Sequence, residues 1–197
     1  MSKISLEPNA SGAGTFSIVS PNSNTNRTLN LPDESGILFS DGSGVPGSAV
    51  TGQLASSNMP AGSVIQAVQA VKTDSFQATT SSFVGTGLSA SVTPSSASNK
   101  ILILFSIHID TRGSDDVAVT IFRDSQNLGD STWGFIRVNG SFSGRKIATH
   151  SQSFLDAPST TSLVAYEIHA RGLGGNNNFI APNSQDVATI QLMEIAG

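Results

Sequence analysis

The stretch Lys100–Asp110, KILILFSIHID, constrains the fold more than any other part of this 197-residue chain. Ile101, Ile103, Phe105, Ile107 and Ile109 fall on one parity, and Leu102, Leu104, Ser106, His108 and Asp110 on the other. A β-strand sends successive side chains to opposite faces. One face is therefore wholly apolar, while the other begins apolar and turns polar. The pattern predicts a central strand of a two-sheet sandwich, with its first face in the core and its second half covered. No window of the chain carries a sustained helical stripe, so an all-β fold is expected.

Composition narrows the partners. Charged residues make up 12% of the chain, about half the usual share of roughly 25%, and Ser, Thr, Asn and Gly take their place. The net charge is −4 and the ten Lys and Arg are scattered. Phosphate backbones need clustered positive charge, so nucleic acid is not an expected partner. Without cysteine there is no disulfide and no thiolate metal site. MSKISLEPNAS has no apolar segment of signal-peptide length, and no stretch reaches membrane-spanning length. Synthesis in a cytoplasm and no membrane insertion are expected. The N-x-S/T sequons at Asn9, Asn26 and Asn139 read as chance matches in an Asn- and Ser-rich chain.

Residues 1–45 hold short apolar scraps cut by turn residues and read as an extended β-hairpin arm, with Pro32-Asp33-Glu34-Ser35-Gly36 as its turn. Across residues 1–58 about a dozen large apolar side chains do not offset the entropy of ordering so long a segment, so a partner, either further copies of the chain or a larger particle, is expected to order it. Residues 46–61 read as a Gly/Ser/Pro linker, and 62–197 as the folding unit. Candidate strands in that unit are Ser63–Val71, Ser75–Phe83, Leu88–Thr93, Lys100–Asp110, Val117–Arg123, Phe135–Val138, Lys146–His150, Ser162–Arg171 and Asp186–Ile195. Such short strands, separated by turn signals, predict an antiparallel sandwich of jelly-roll type. Several are apolar on both parities for part of their length, which predicts a subunit interface.

Four stretches carry a family resemblance: TDSFQATTSSFVGTGLSASVTPSSASNKILILFSIHI, SFLDAPSTTSLVAYEIHAR, ATIQLMEIAG and PAGSVIQAVQ. They resemble a domain common in tailed-bacteriophage virion proteins of the tail-fibre and structural type. TFSIVSPNSNTNRTLNLPDESGILFSDGS resembles a short module found in the same proteins. The resemblance implies a homotrimer located in the virion, with an attaching N-terminal part and an exposed C-terminal β-rich head. The partners it implies are further copies of the chain, other phage capsid or tail proteins and, for a receptor-binding fibre, host surface glycan. The sequence has no heptad array, Gly-X-Y repeat or long β-helical repeat to make a shaft. That favours a capsid decoration (cement) protein or short knob over a long adhesin.

No catalytic constellation stands out, and neither a metal nor a cofactor is expected. The chain lacks a G-x-S-x-G elbow; Gly140-Ser141-Phe142-Ser143-Gly144 puts Phe142 at the nucleophile position. Glu167 and Glu194 are the strand-borne carboxylates that a glycosidase pair would need, but each also reads as an exposed or salt-bridged strand residue. Asp110-Thr111-Arg112-Gly113-Ser114-Asp115-Asp116 could offer oxygen ligands to calcium, yet it fits no EF-hand and reads as a solvated turn. The glycines at 42–47 and 172–175 lack the Lys-Ser/Thr of a phosphate loop. Trp133 and Phe135, with Asn176, Asn177 and Asn178 of the LGGNNN loop, are candidates for sugar recognition, or alternatively fill the sandwich and its seams. His108, His169 and Met193 are candidates for the trimer interface.

Overall fold

The computed structural model describes residues 11–14, 24, 26, 58–112, 116–139, 144–173, 178–180 and 186–197. The predicted hairpin arm therefore lies almost wholly outside the described residues, as do Asn176, Asn177 and Phe142. The chain divides into two units, Met1–Val50 and Thr51–Gly197, and the fold below is that of the second. It is all-β and antiparallel, as the period-two patterning predicts.

The strands run in the order β1 (Val64–Lys72), β2 (Phe76–Ala78), β3 (Val84–Val92), β4 (Lys100–Arg112), β5 (Asp116–Arg123) and β6 (Gln126–Asn127). They continue with β7 (Ile136–Val138), β8 (Arg145–Asp156), β9 (Val164–Leu173), β10 (Asn178–Ile180) and β11 (Ala188–Ile195). One sheet follows β1-β11-β4-β10-β2, with β8 on the other edge of β4. The second follows β3-β9-β5-β6, with β7 also on β5. β4 is the hub. β8 pairs with it from Ile101 to Arg112, and on the opposite edge β11 takes Lys100–Ser106 while β10 takes Ile109–Asp110.

The two sheets close over one apolar core. Ile101, Ile103, Phe105, Ile107 and Ile109 all face it, together with Ile190 and Leu192 from β11. From the second sheet come Leu88, Val117, Val119, Ile121, Tyr166 and Ile168. The alternation in KILILFSIHID thus settles which side of the sheet faces inward, because a one-residue slip would turn five large apolar side chains to water. The ends of the fold are clamped together: Gly62 N donates to Ala196 O at 2.8 Å and Ala196 N to Ser63 O at 2.9 Å.

Several elements differ from the sequence expectation. Ser75–Phe83 is not one strand; it pairs only over Phe76–Ala78. The strand expected from Leu88 begins at Val84, because a bulge between Gly85 and Ser89 absorbs the glycines that hide it. Gly87 has φ +80°, and Thr86 Oγ1 braces the bulge by donating to Ile168 O at 2.7 Å. The strand expected to end at His150 continues to Asp156. Asp110 and Asp116 are not in a solvated turn, since both lie in strands and Asp110 is fully buried.

Candidate functional site

The sandwich presents two outer faces of opposite chemistry. On the six-stranded sheet, register places four rows of side chains outward across β8, β4, β11 and β1. They are Leu155–Leu102–Met193–Ala67, Ser153–Leu104–Gln191–Gln69, Ser151–Ser106–Thr189–Val71 and Thr149–His108. Leu104, Ser106, Ser151, Ser153, Thr189 and Gln191 line a shallow groove of about 490 Å³. Ser151 Oγ donates to Ser106 Oγ at 3.1 Å, while Leu155 and Val71 at the margins are about half exposed, 49% and 54%. Hydroxyls and amides on an apolar floor can accept and donate hydrogen bonds without carrying charge.

On the five-stranded sheet the outer face is charged and aromatic. Phe122 stacks on the His169 ring at 3.9 Å between centroids, and Glu167 Oε2 lies 3.5 Å from His169 Nε2. Glu167 Oε1 also accepts from Gly87 N at 3.0 Å, tying β9 to the bulge. Burial under Phe122 holds the His169 pKa below the usual histidine value, against the opposing pull of Glu167. Trp133 projects beside these strands. The Arg137 guanidinium covers its ring at 3.6 Å, Arg171 approaches at 5.7 Å, and Arg137 is paired to Asp116 at 2.7 Å.

The loop that carries Trp133 is fixed by its own polar groups. Asp130 Oδ1 accepts from Thr132 N and Trp133 N, and those two bonds hold its pKa below the ordinary aspartate value. Gly134 has φ +63° and lies so close to Val119 that a Cβ would strike the carbonyl. Phe135 N can then donate to Val119 O at 2.8 Å. The loop turns at Gly134, so Trp133 faces outward while Phe135 packs against Phe154, ring centroids 5.0 Å apart.

These placements sort the candidate residues. Trp133 stays on a surface, but its ring is already occupied by arginine. Phe135 is partly buried and packs at the margin of the core. Asn178 opens β10 rather than ending a loop, and Asn176 and Asn177 lie outside the described residues. His108 and Met193 share the outer face of the six-stranded sheet, whereas His169 stands on the opposite side of the sandwich. Glu167 and Glu194 are not brought together, since Glu194 faces the core of the other sheet.

Sequence reasoning missed how the buried carboxylates are used. Glu194 is fully buried and accepts from Ser95 N at 2.6 Å, Ser95 Oγ at 2.8 Å, Asn99 Nδ2 at 2.6 Å and Gln66 Nε2 at 2.5 Å. Burial pushes its pKa up, but these four bonds outweigh it and hold the carboxyl below its usual range. Asp156 accepts from Arg123 Nη1 at 2.9 Å and from the buried Tyr166 hydroxyl at 2.7 Å. Asp110 accepts a bifurcated bond from Arg145 Nε, both oxygens at 3.0 Å, and Arg145 Nη2 lies 2.9 Å from Oδ2. Each of these three carboxylates locks a strand or loop in place. Among the described residues no group of three or more His, Asp or Glu is placed to hold a metal ion, and no helix is long and apolar enough to cross a membrane. No protein-family model matches the chain, and no curated protein matches it.

Proposed function

We propose that the chain is a non-enzymatic surface protein of a tailed-bacteriophage virion. It acts as a homotrimeric capsid decoration protein or short knob, with the N-terminal arm attaching and the β domain exposed. One observation carries this reading: the stretches that resemble phage virion proteins coincide with the framework of the fold. Pro60–Gln69 enters β1, Thr73–Ile109 spans β2 to β4, Ser153–Arg171 spans the end of β8 and most of β9, and Ala188–Gly197 is β11 and its tail. The strand order adds support for the jelly-roll form. The path β8-β4-β11-β1 faces β3-β9-β5-β7, and consecutive strands repeatedly change sheets. The hydrogen-bonded states of Glu194, Asp156 and Asp110 fit a structural rather than a catalytic use of acid groups.

A second reading is a receptor-binding knob that recognises host glycan, which the uncharged groove on the six-stranded sheet favours. Two measurements on the full chain decide between them. Immunogold labelling of intact particles is expected to place the chain on the capsid or tail surface; particles that lack it refute the virion reading. Binding to purified host polysaccharide, absent for a decoration protein, assigns the second reading if present.

A further inference from the structure

We propose that copies of this chain meet through the outer face of the six-stranded sheet, on β8, β4 and β11. The inference rests on the homotrimeric reading above and assigns the surface that makes the oligomer. Among the described residues, no Asp, Glu, Lys or Arg stands outward in the four rows from Leu102 to His108. Charge returns only at the margins, with Lys100 at one end and the Asp110–Arg145 pair at the other. The outer face of the five-stranded sheet carries Arg137, Asp116, Glu167 and Arg171. A chain with net charge −4 repels its own copies at long range. A neutral face is where two copies approach at least electrostatic cost, and depletion of charge marks the cores of protein interfaces.

A second observation lies on the same side of the molecule. β8 is exposed along most of its twelve residues, and among the described strands it pairs with β4 alone. Edge strands of monomers are normally blunted by lysine, proline or a bulge. From Ile147 to Leu155, IATHSQSFL, β8 has no charge and no proline, and its register with β4 runs without a shift. The edge is thus competent to be covered. Strand spacing of about 4.8 Å and a rise of about 3.4 Å per residue give the four rows roughly 300 Å² of flat area. A stable contact takes about 800 Å² per partner, so the face and the β8 edge must be used together. His108 Nδ1, at the head of the field, is buried and has no hydrogen-bond partner among the described residues. The occupant is a second copy rather than a glycan, because these rows offer no Trp, Tyr or Phe ring for the apolar side of a sugar.

The test uses the full-length chain with Ser153→Lys and Gln191→Lys, singly and together, read by sedimentation and by near-UV circular dichroism. Wild type is expected to sediment as an oligomer. The double variant should dissociate, its dissociation constant rising roughly a hundredfold or more because like charges face each other across the contact. Its circular dichroism should be unchanged. An oligomer that persists in the folded double variant overturns this surface and leaves the homotrimeric reading standing. A monomeric wild type overturns both, and if that monomer also binds polysaccharide through Ser153 and Gln191 the face belongs to glycan. Should the double variant not fold, hydrogen exchange of wild type decides. The β8 amides that point away from β4 should exchange at least about tenfold more slowly in the oligomer than on dilution, and equal rates overturn the proposal.

Discussion

Replacing Glu194 by glutamine tests whether a single buried carboxylate organises the end of the sandwich. Three donors converge on Oε1 (Ser95 N, Ser95 Oγ and Asn99 Nδ2), and Gln66 Nε2 reaches Oε2. Glutamine keeps an acceptor for the first three, but turns them from charge-assisted into neutral bonds at a loss of about 1 kcal/mol each. Its amide nitrogen then faces Gln66 Nε2. Gln66 can flip to accept, but it gives up its 2.8 Å bond to Thr93 O, a further cost of about 1–3 kcal/mol. The neutral side chain escapes part of the desolvation that the carboxylate bears, which leaves a net loss of about 3 kcal/mol. Urea unfolding at pH 7 reads this directly.

Acid adds a second, independent signature. The folded Glu194 pKa lies below its ordinary value of 4.5, so its stabilisation is complete above pH 4.5 and is lost as pH falls through the folded pKa. The gap between wild type and Glu194→Gln should therefore narrow below pH 4.5 and stay constant above it. A variant within about 1 kcal/mol of wild type at pH 7, or a gap that ignores pH, refutes the argument.

Three further outcomes are expected. Ile103→Asp places an unpaired charge at the fully buried centre of β4 and should abolish folding; a normal yield with cooperative melting would refute the assignment of the inward face. Tyr166→Phe removes the donor to Asp156 in a buried site and should cost about 1–2 kcal/mol in urea, with no loss refuting the role of that bond. Burial, joined by Lys146 at His150 and opposed by Glu167 at His169, lowers both histidine pKa values below 6.5. Folding stability should therefore be full above pH 6.5 and decline as pH falls through the lowered values. His150→Gln with His169→Gln should flatten that decline, and an unchanged slope would contradict it.

The core strand was legible from sequence because each face of β4 has its own composition. β8 was half hidden for the opposite reason. An edge strand exposed on both sides, as in Ser151-Gln152-Ser153, has no alternation to display. β6 and β10, at two and three residues, are shorter than any periodicity can register. Gly85 and Gly87 masked the start of β3, since a bulge breaks the pattern that a strand needs to be seen. The candidate site was less legible than the fold. Phe135 and Trp133 sit two residues apart, yet the turn at Gly134 sends one inward and the other outward. Glu194 reads in sequence as one more polar residue of an alternating strand. Its partners Gln66, Ser95 and Asn99 lie about a hundred residues or more away, beyond any local spacing rule.

β1 finds its partner in β11, so the first strand of the domain is completed by the last. At ribosomal speeds of roughly 5–20 residues per second, β1 emerges on the order of ten seconds before the segment that completes it. Throughout that interval a second nascent chain on the same message can donate the missing strand. Translation rate over the last two thirds of the message thus sets how long the edge of β1 stands without β11.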